Sequence, residues 1–174
     1  MTLTVENGTG KPDAESFCTV AFADAYFSAR NVSAWTGTEA EKEAYLRAAT
    51  DYMEQVYRLR WAGCRVTSTQ ALSWPRANVP MRDAPGGFGS LPAYLAQDVV
   101  PMPVQKACAE LALRSISGPL APDVGRLKAK VKVGPLETEY VQGASAVTTY
   151  RVADNLVAPY LGNSNPLVMA LARA

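Results

Sequence analysis

Apolar positions recur at helical spacing in three stretches of the chain and at a spacing of two in a fourth, and this alternation sets the expected architecture. Thr19 is placed to cap a helix running from about Val20 to Arg30, with Ala23, Tyr26 and Phe27 on one side and Asn31 at its end. Thr38 followed by Glu41 is a capping-box pattern. Behind it, Ala40, Ala44, Tyr45, Ala48, Ala49, Tyr52, Met53 and Val56 keep helical spacing, which predicts a long helix over 39–57. Glu39, Lys42, Glu43, Arg47, Asp51 and Glu54 form its expected outer face, with Glu43 and Arg47 paired one turn apart. Pro103 suits the first turn of a further helix reaching about Ser117, with Ala107, Cys108, Leu111, Ala112 and Ile116 inward and Gly118 as its stop.

From Arg126 the period drops to two. Arg126, Lys128, Lys130 and Lys132 alternate with Leu127, Ala129, Val131 and Val133, and after Gly134-Pro135 the alternation resumes in LETEYV. This predicts a hairpin over 126–141 in which Val133 faces Leu136, Lys132 faces Glu137 and Lys130 faces Glu139. RVADNLVAPYL reads as a short helix ending near Pro159. The expected fold is therefore mainly α, a small bundle of three to four helices with one β-hairpin and extended termini. Residues 1–15 read as a flexible arm that orders on contact, 16–161 as the helical domain and 162–174 as a carboxyl-terminal tail. Prolines and glycines crowd the stretch 77–100 and predict a long loop.

Chemistry narrows the picture mainly by exclusion. The chain has no histidine, which removes the commonest general base and zinc ligand, and Ala84-Pro85-Gly86-Gly87-Phe88-Gly89 lacks the lysine of a phosphate-cradling loop. No enzyme, cofactor or metal is expected. Cys18, Cys64 and Cys108 read as reduced core residues. Nothing resembles a targeting peptide or an apolar span long enough for a bilayer, so synthesis in a cytoplasm-like compartment and no membrane partner are expected.

The net charge of +1 conceals a segregation: residues 1–56 carry −5, residues 57–132 carry +7 and residues 133–174 carry −1. Such a chain can neutralise itself, pair with a neighbouring subunit or present cations to nucleic acid. The basic middle opens with YRLRWAGCRVTSTQALSWPR, where Arg58, Arg60, Arg65 and Arg76 alternate with Tyr57, Trp61 and Trp74. Three readings of this cluster stand side by side: phosphate contact, salt bridges to an acidic neighbour, and arginine stems covering core aromatics. The apolar tail residues Leu167, Val168, Met169 and Leu171 follow an Asn-Pro break and make a candidate docking peptide, unless they fold back on the core.

Several segments together carry a family resemblance: SFCTVAFADAYFSAR, EAEKEAYLRAATDYMEQ, YRLRWAGCRVTSTQALSWPRANV, VPMPVQKACAELAL and KVKVGPLETEYV. They resemble the tailed-phage proteins labelled DnaT-like single-stranded DNA-binding proteins, and TQALSWPR and KVGPLETEY are the most specific pieces. The resemblance implies a head–tail connector, an adaptor or head-completion protein made in the host cytoplasm and housed in the neck of the virion. It implies a ring, usually of twelve subunits, between the portal protein and the next neck or tail-terminator ring. On this reading Arg58, Arg60, Trp61, Arg65, Trp74 and Arg76 serve a partner or subunit interface. Arg126, Lys128, Lys130 and Lys132 would line a channel enclosing double-stranded DNA without sequence specificity, and residues 163–174 would dock on the portal. The alternative is a replication accessory protein that binds single-stranded DNA.

Overall fold

The computed structural model describes residues 2–81, 83, 93–123, 130–133, 136–139 and 148–162. Helix α1 spans Val20–Ser28 and α2 spans Glu39–Tyr57. A short ladder pairs β1 (Cys64–Arg65) with β2 (Arg76–Ala77), and α3 (Met102–Ser115) follows. Strands β3 (Lys130–Val133) and β4 (Leu136–Glu139) form the hairpin, and α4 (Arg151–Val157) runs on into a 3-10 turn, Ala158–Tyr160. The fold is small and mainly helical, as the periodicity predicts.

Local chemistry sets the helix starts. The Thr19 hydroxyl accepts from the Phe22 N–H at 3.0 Å, and the capping box at α2 closes in both directions, Glu41 N–H to Thr38 Oγ1 at 3.3 Å and Thr38 N–H to Glu41 Oε2 at 2.7 Å. Pro103 occupies the first turn of α3. α1 stops at Ser28, earlier than expected, and the chain reverses through Asn31, whose φ of 53° lies in the left-handed region.

α2 and α3 form the centre, α4 lies on α3, and α1 touches both central helices. Their contact faces carry Phe27, Leu46, Ala49, Met53, Val104, Ala107, Cys108, Leu111, Ala153 and Val157, all fully or almost fully buried. Tyr57, also buried, donates from its hydroxyl to Asp154 Oδ1 at 2.6 Å and so ties the end of α2 to α4. Burial, and then the Asp154 carboxylate beside it, push the phenol far above its ordinary range. β3 and β4 pair antiparallel with Val133 opposite Leu136, Lys132 opposite Glu137 and Lys130 opposite Glu139, the register read from the alternation. Arg126 and Lys128 lie outside the described residues.

Three expectations need correction. The first concerns the orientation of α2: Glu43 is buried, while Ala40, Ala44 and Ala48 are exposed. Glu43 turns inward because its Oε1 accepts the Leu3 N–H at 3.1 Å, and it still meets Arg47 at 3.3 Å. The second is the expected amino-terminal arm, which instead packs as a strap. Val5 bridges Ser16, and the buried Glu6 carboxylate accepts from the backbone N–H groups of Gly8, Gly10 and Lys11 at 2.8–2.9 Å. Gly8 is required there: its φ is +103°, and a Cβ would overlap the Asp98 carbonyl oxygen. The third is Cys64, which is exposed on β1, whereas Cys18 and Cys108 are buried as expected. In the long loop, Pro80 and Tyr94 form an antiparallel bridge, while residues 82 and 84–92 lie outside the described residues.

Candidate nucleic-acid and subunit interface

The aromatic–basic stretch divides into an inner and an outer set at the end of α2. Tyr57 O accepts from Arg60 N–H at 2.8 Å and Trp61 N–H at 3.1 Å, a tight turn that leaves Arg58, Leu59 and Arg60 outside and swings Trp61 in. Leu59 is 95% exposed between its two arginines. Arg58 reaches Glu54 only at 3.8 Å, and the Arg60 guanidinium lies 5.6 Å from the centre of the Tyr57 ring. At surface exposure these contacts contribute little, about 1 kcal/mol or less each.

Trp61, Trp74 and Arg76 belong to the interior, which corrects their assignment to a contact surface. The Trp74 ring meets Trp61 edge-on at 5.6 Å and Tyr160 at 5.9 Å, and Trp61 meets Tyr57 at 5.6 Å. Trp61 and Trp74 are 5% and 0% exposed. Arg76 spends its whole fork on main-chain carbonyls: Nε donates to Ala62 O at 2.7 Å, Nη2 to Gly63 O at 2.8 Å and Nη1 to Ser73 O at 3.1 Å. Burial lowers the guanidinium pKa from its ordinary value. Arg65 is half-buried and donates to Gln70 O. Arg65 and Arg76 spend their guanidinium groups on main-chain carbonyls, a role outside the three readings, and of the four arginines only Arg58 and Arg60 are presented outward.

Residues that the pattern did not single out complete the arrangement. Gln70 is 2% exposed; its Oε1 accepts the Thr67 N–H at 2.9 Å, and its Nε2 donates to Leu72 O at 2.9 Å and Pro75 O at 3.0 Å. Glu54 accepts both the N–H and the hydroxyl of Ser73 at 2.8 Å, fastening the loop to α2. The segment TQALSWPR is thus a latch, with Gln70 and Arg76 as its two pins. Beyond the latch, Trp61 bridges Leu161, with Ala62 N–H to Tyr160 O at 2.9 Å and Gly162 N–H to Arg60 O at 2.7 Å.

The family model described as "Putative DnaT-like ssDNA binding protein" matches residues 1–174. The chain belongs to this family. No curated protein and no solved structure matches it. Within the family frame, the latch segment TQALSWPR is an internal structural feature of this chain, and the hairpin segment KVGPLETEY carries the alternating charges. Leu167, Val168, Met169 and Leu171 lie outside the described residues. Among the described residues no three His, Cys, Asp or Glu side chains group as a metal site, and no helix is long and apolar enough to cross a membrane.

Proposed function

We propose that this protein is a non-enzymatic head–tail connector of a tailed bacteriophage, assembling into a ring beneath the portal protein and enclosing double-stranded DNA. The observation that carries this reading is the burial of the aromatic cluster. A sequence-tolerant single-strand binder holds bases against exposed rings in a basic groove, whereas Trp61 and Trp74 are buried and meet each other edge-on in the interior. What the turn after α2 presents outward is Arg58-Leu59-Arg60, a fully exposed apolar side chain between two cations, which suits contact with an acidic protein surface better than with a base. Segregated charge favours a head-to-tail contact, in which the acidic front of one copy meets the basic middle of the next, and such contacts form a ring when the rotation between neighbours closes. The hairpin supplies cations at alternate positions, and their role in the ring is loose contact with the enclosed phosphates, weakening as salt rises.

The second reading, binding of single-stranded DNA, is favoured by the family's own description. Three measurements together separate the two. Native mass measurement of the purified protein, oligothymidylate titration at physiological salt and quantification in mature virions should together give a closed oligomer, weak salt-sensitive DNA binding and a fixed copy number at the neck. A monomer that binds oligothymidylate tightly and is absent from particles would overturn the connector in favour of the single-strand binder.

A further inference from the structure

From Ala44 to Leu59 the outward face of α2 has one charged side chain at its centre, Asp51. Ala44, Ala48, Asp51 and Gln55 are all exposed, and steps of four, three and four residues keep them on one side of the helix. Leu59 extends the row by four more. Arg58 keeps helical dihedrals, φ −48° and ψ −46°, and Trp61 N–H bonds Tyr57 O at 3.1 Å, so the turn that carries Leu59 continues the helix. At about 100° per residue the row falls within about 80° of arc, with Arg58 at its edge on the side of Asp51.

The chain itself leaves three groups of this face unmet. Leu59 is almost wholly in water. Asp51 enters no ion pair among the described residues, and partial burial, then the nearby Glu15 carboxylate, push its pKa up; Glu15 is itself taken by Arg47 at 3.1 Å. Arg58 has only its 3.8 Å contact with Glu54. Each of these groups finds its complement on the same face, a guanidinium for the carboxylate and low alanine surface for the leucine. The spacing matches as well. α2 rises about 10.5 Å from Asp51 to Arg58 and about 16.5 Å from Ala48 to Leu59, and the midpoints of the two intervals lie only about 1.5 Å apart along the axis. A face balanced in this way about one point is complementary to its own copy turned end for end.

We propose that the free protein pairs with a second copy through the outer faces of α2, the two helices lying antiparallel about a two-fold axis near Glu54 and Gln55. Leu59 of each copy then covers Ala48 of the other, Arg58 of each reaches Asp51 of the other, and the two Gln55 side chains meet near the axis. With single methyl groups at Ala44 and Ala48, the helices approach to the short end of the usual separation of about 8–10 Å. Such a contact is isologous and stops at two copies. It does not rest on the ring reading: it covers the same Arg58-Leu59-Arg60 turn that the ring would use, and so belongs to the protein before assembly. A contact made by one helix face is small, and its dissociation constant is on the order of 100 µM, so dilute protein is monomeric.

The test is sedimentation velocity of the full chain from about 10 µM to about 1 mM, for the parent and for the variants Asp51→Lys and Arg58→Glu, each checked by its circular dichroism melt. The parent should pass from monomer to dimer across this range. Either variant alone sets like charges against each other at both ends of the contact, so its self-association should weaken at least about tenfold. Mixed one to one, the two variants restore opposite charges at both ends, and a heterodimer should form about as tightly as the parent dimer. Variants that self-associate like the parent, a mixture that stays monomeric, or a parent still monomeric at the highest concentration would overturn the pairing. A parent that forms only larger rings would overturn it too, and would leave the connector standing.

Discussion

Replacing Trp74 by alanine tests whether the basic–aromatic stretch is an internal latch or a surface for bases. The ring is fully buried and meets Trp61 and Tyr160 edge-on at 5.6 and 5.9 Å. Its truncation removes the transfer free energy of an indole and leaves a cavity, about 3–5 kcal/mol together. The upper half of that range applies, because the hydrogen bonds of Gln70 to Pro75 O and of Arg76 to Ala62, Gly63 and Ser73 carbonyls hold the surrounding loop in place and limit collapse. Among the described residues the indole N–H has no hydrogen-bond partner, so the truncation breaks no hydrogen bond. For a chain of this length each kcal/mol lowers the melting temperature by roughly 2–4 °C, which for the upper half of the range gives a fall of roughly 8–20 °C. Trp74→Phe is the companion: it keeps an aromatic edge and removes an unpaired buried donor, whose desolvation costs about 1–3 kcal/mol, so its net cost should stay below about 2 kcal/mol. Urea unfolding at fixed protein concentration, followed alongside oligothymidylate titration, reads both effects. A Trp74→Ala protein with an unchanged unfolding midpoint and abolished DNA binding would refute the latch.

Gly63 has φ +69°, and a Cβ there would overlap the Ala77 carbonyl oxygen, so Gly63→Ala should cost at least about 2 kcal/mol and open the β1–β2 ladder, measured by urea unfolding and amide exchange at Ala77. Glu6→Ala strips the acceptor from three backbone N–H groups and should cost at least about 3 kcal/mol, while Glu6→Gln, which keeps one acceptor oxygen, should cost clearly less. Burial alone would raise the Asp24 pKa, but the hydrogen bonds from Lys42 at 2.8 Å and Trp35 Nε1 at 2.6 Å bring it below the ordinary carboxylate value. A carboxyl with a depressed folded pKa contributes stability above its unfolded value, near about 3.9, and loses it as pH falls through the folded one. The stability difference between Asp24→Asn and the parent chain should therefore be full at neutral pH and vanish in acid; a difference that grows as pH falls would contradict this. Leu59→Ser should leave the melting temperature within about 1 °C, since the side chain gives up almost no buried area.

The parts of the fold that were legible in the sequence are those set by neighbours along the chain. Thr19, the Thr38–Glu41 box and Pro103 mark helix starts by chemistry confined to one turn, and the hairpin register follows from which alternate residues can face each other across Gly134-Pro135. What the pattern concealed depends on partners far away. Glu43 looks like a surface charge until Leu3, forty positions earlier, needs an acceptor. The first fifteen residues look too polar and too rich in glycine to pack, yet one carboxylate gathers three of their backbone N–H groups and replaces the apolar area they lack. At the candidate site the alternation of cations and rings was visible, but not which side of the turn each falls on. That division follows from two hydrogen bonds to Tyr57 O, at the point where the helix ends.

The bridge between Trp61 and Leu161 places the last described residues in a mechanical role. The chain does not leave the domain from the end of α4; it is first sewn to the segment after α2 by the Ala62–Tyr160 and Gly162–Arg60 hydrogen bonds. A pull on anything beyond Gly162 is therefore borne by those two bonds before it reaches α4. Behind them the load spreads into the edge-packed rings of Trp61, Trp74 and Tyr160 and, through the Arg76 fork, into the loop carbonyls. The four-residue patch from Tyr160 to Gly162 and Trp61 thus acts as a strain relief, so that tension applied from outside the domain meets these hydrogen bonds and buried rings before it reaches α4.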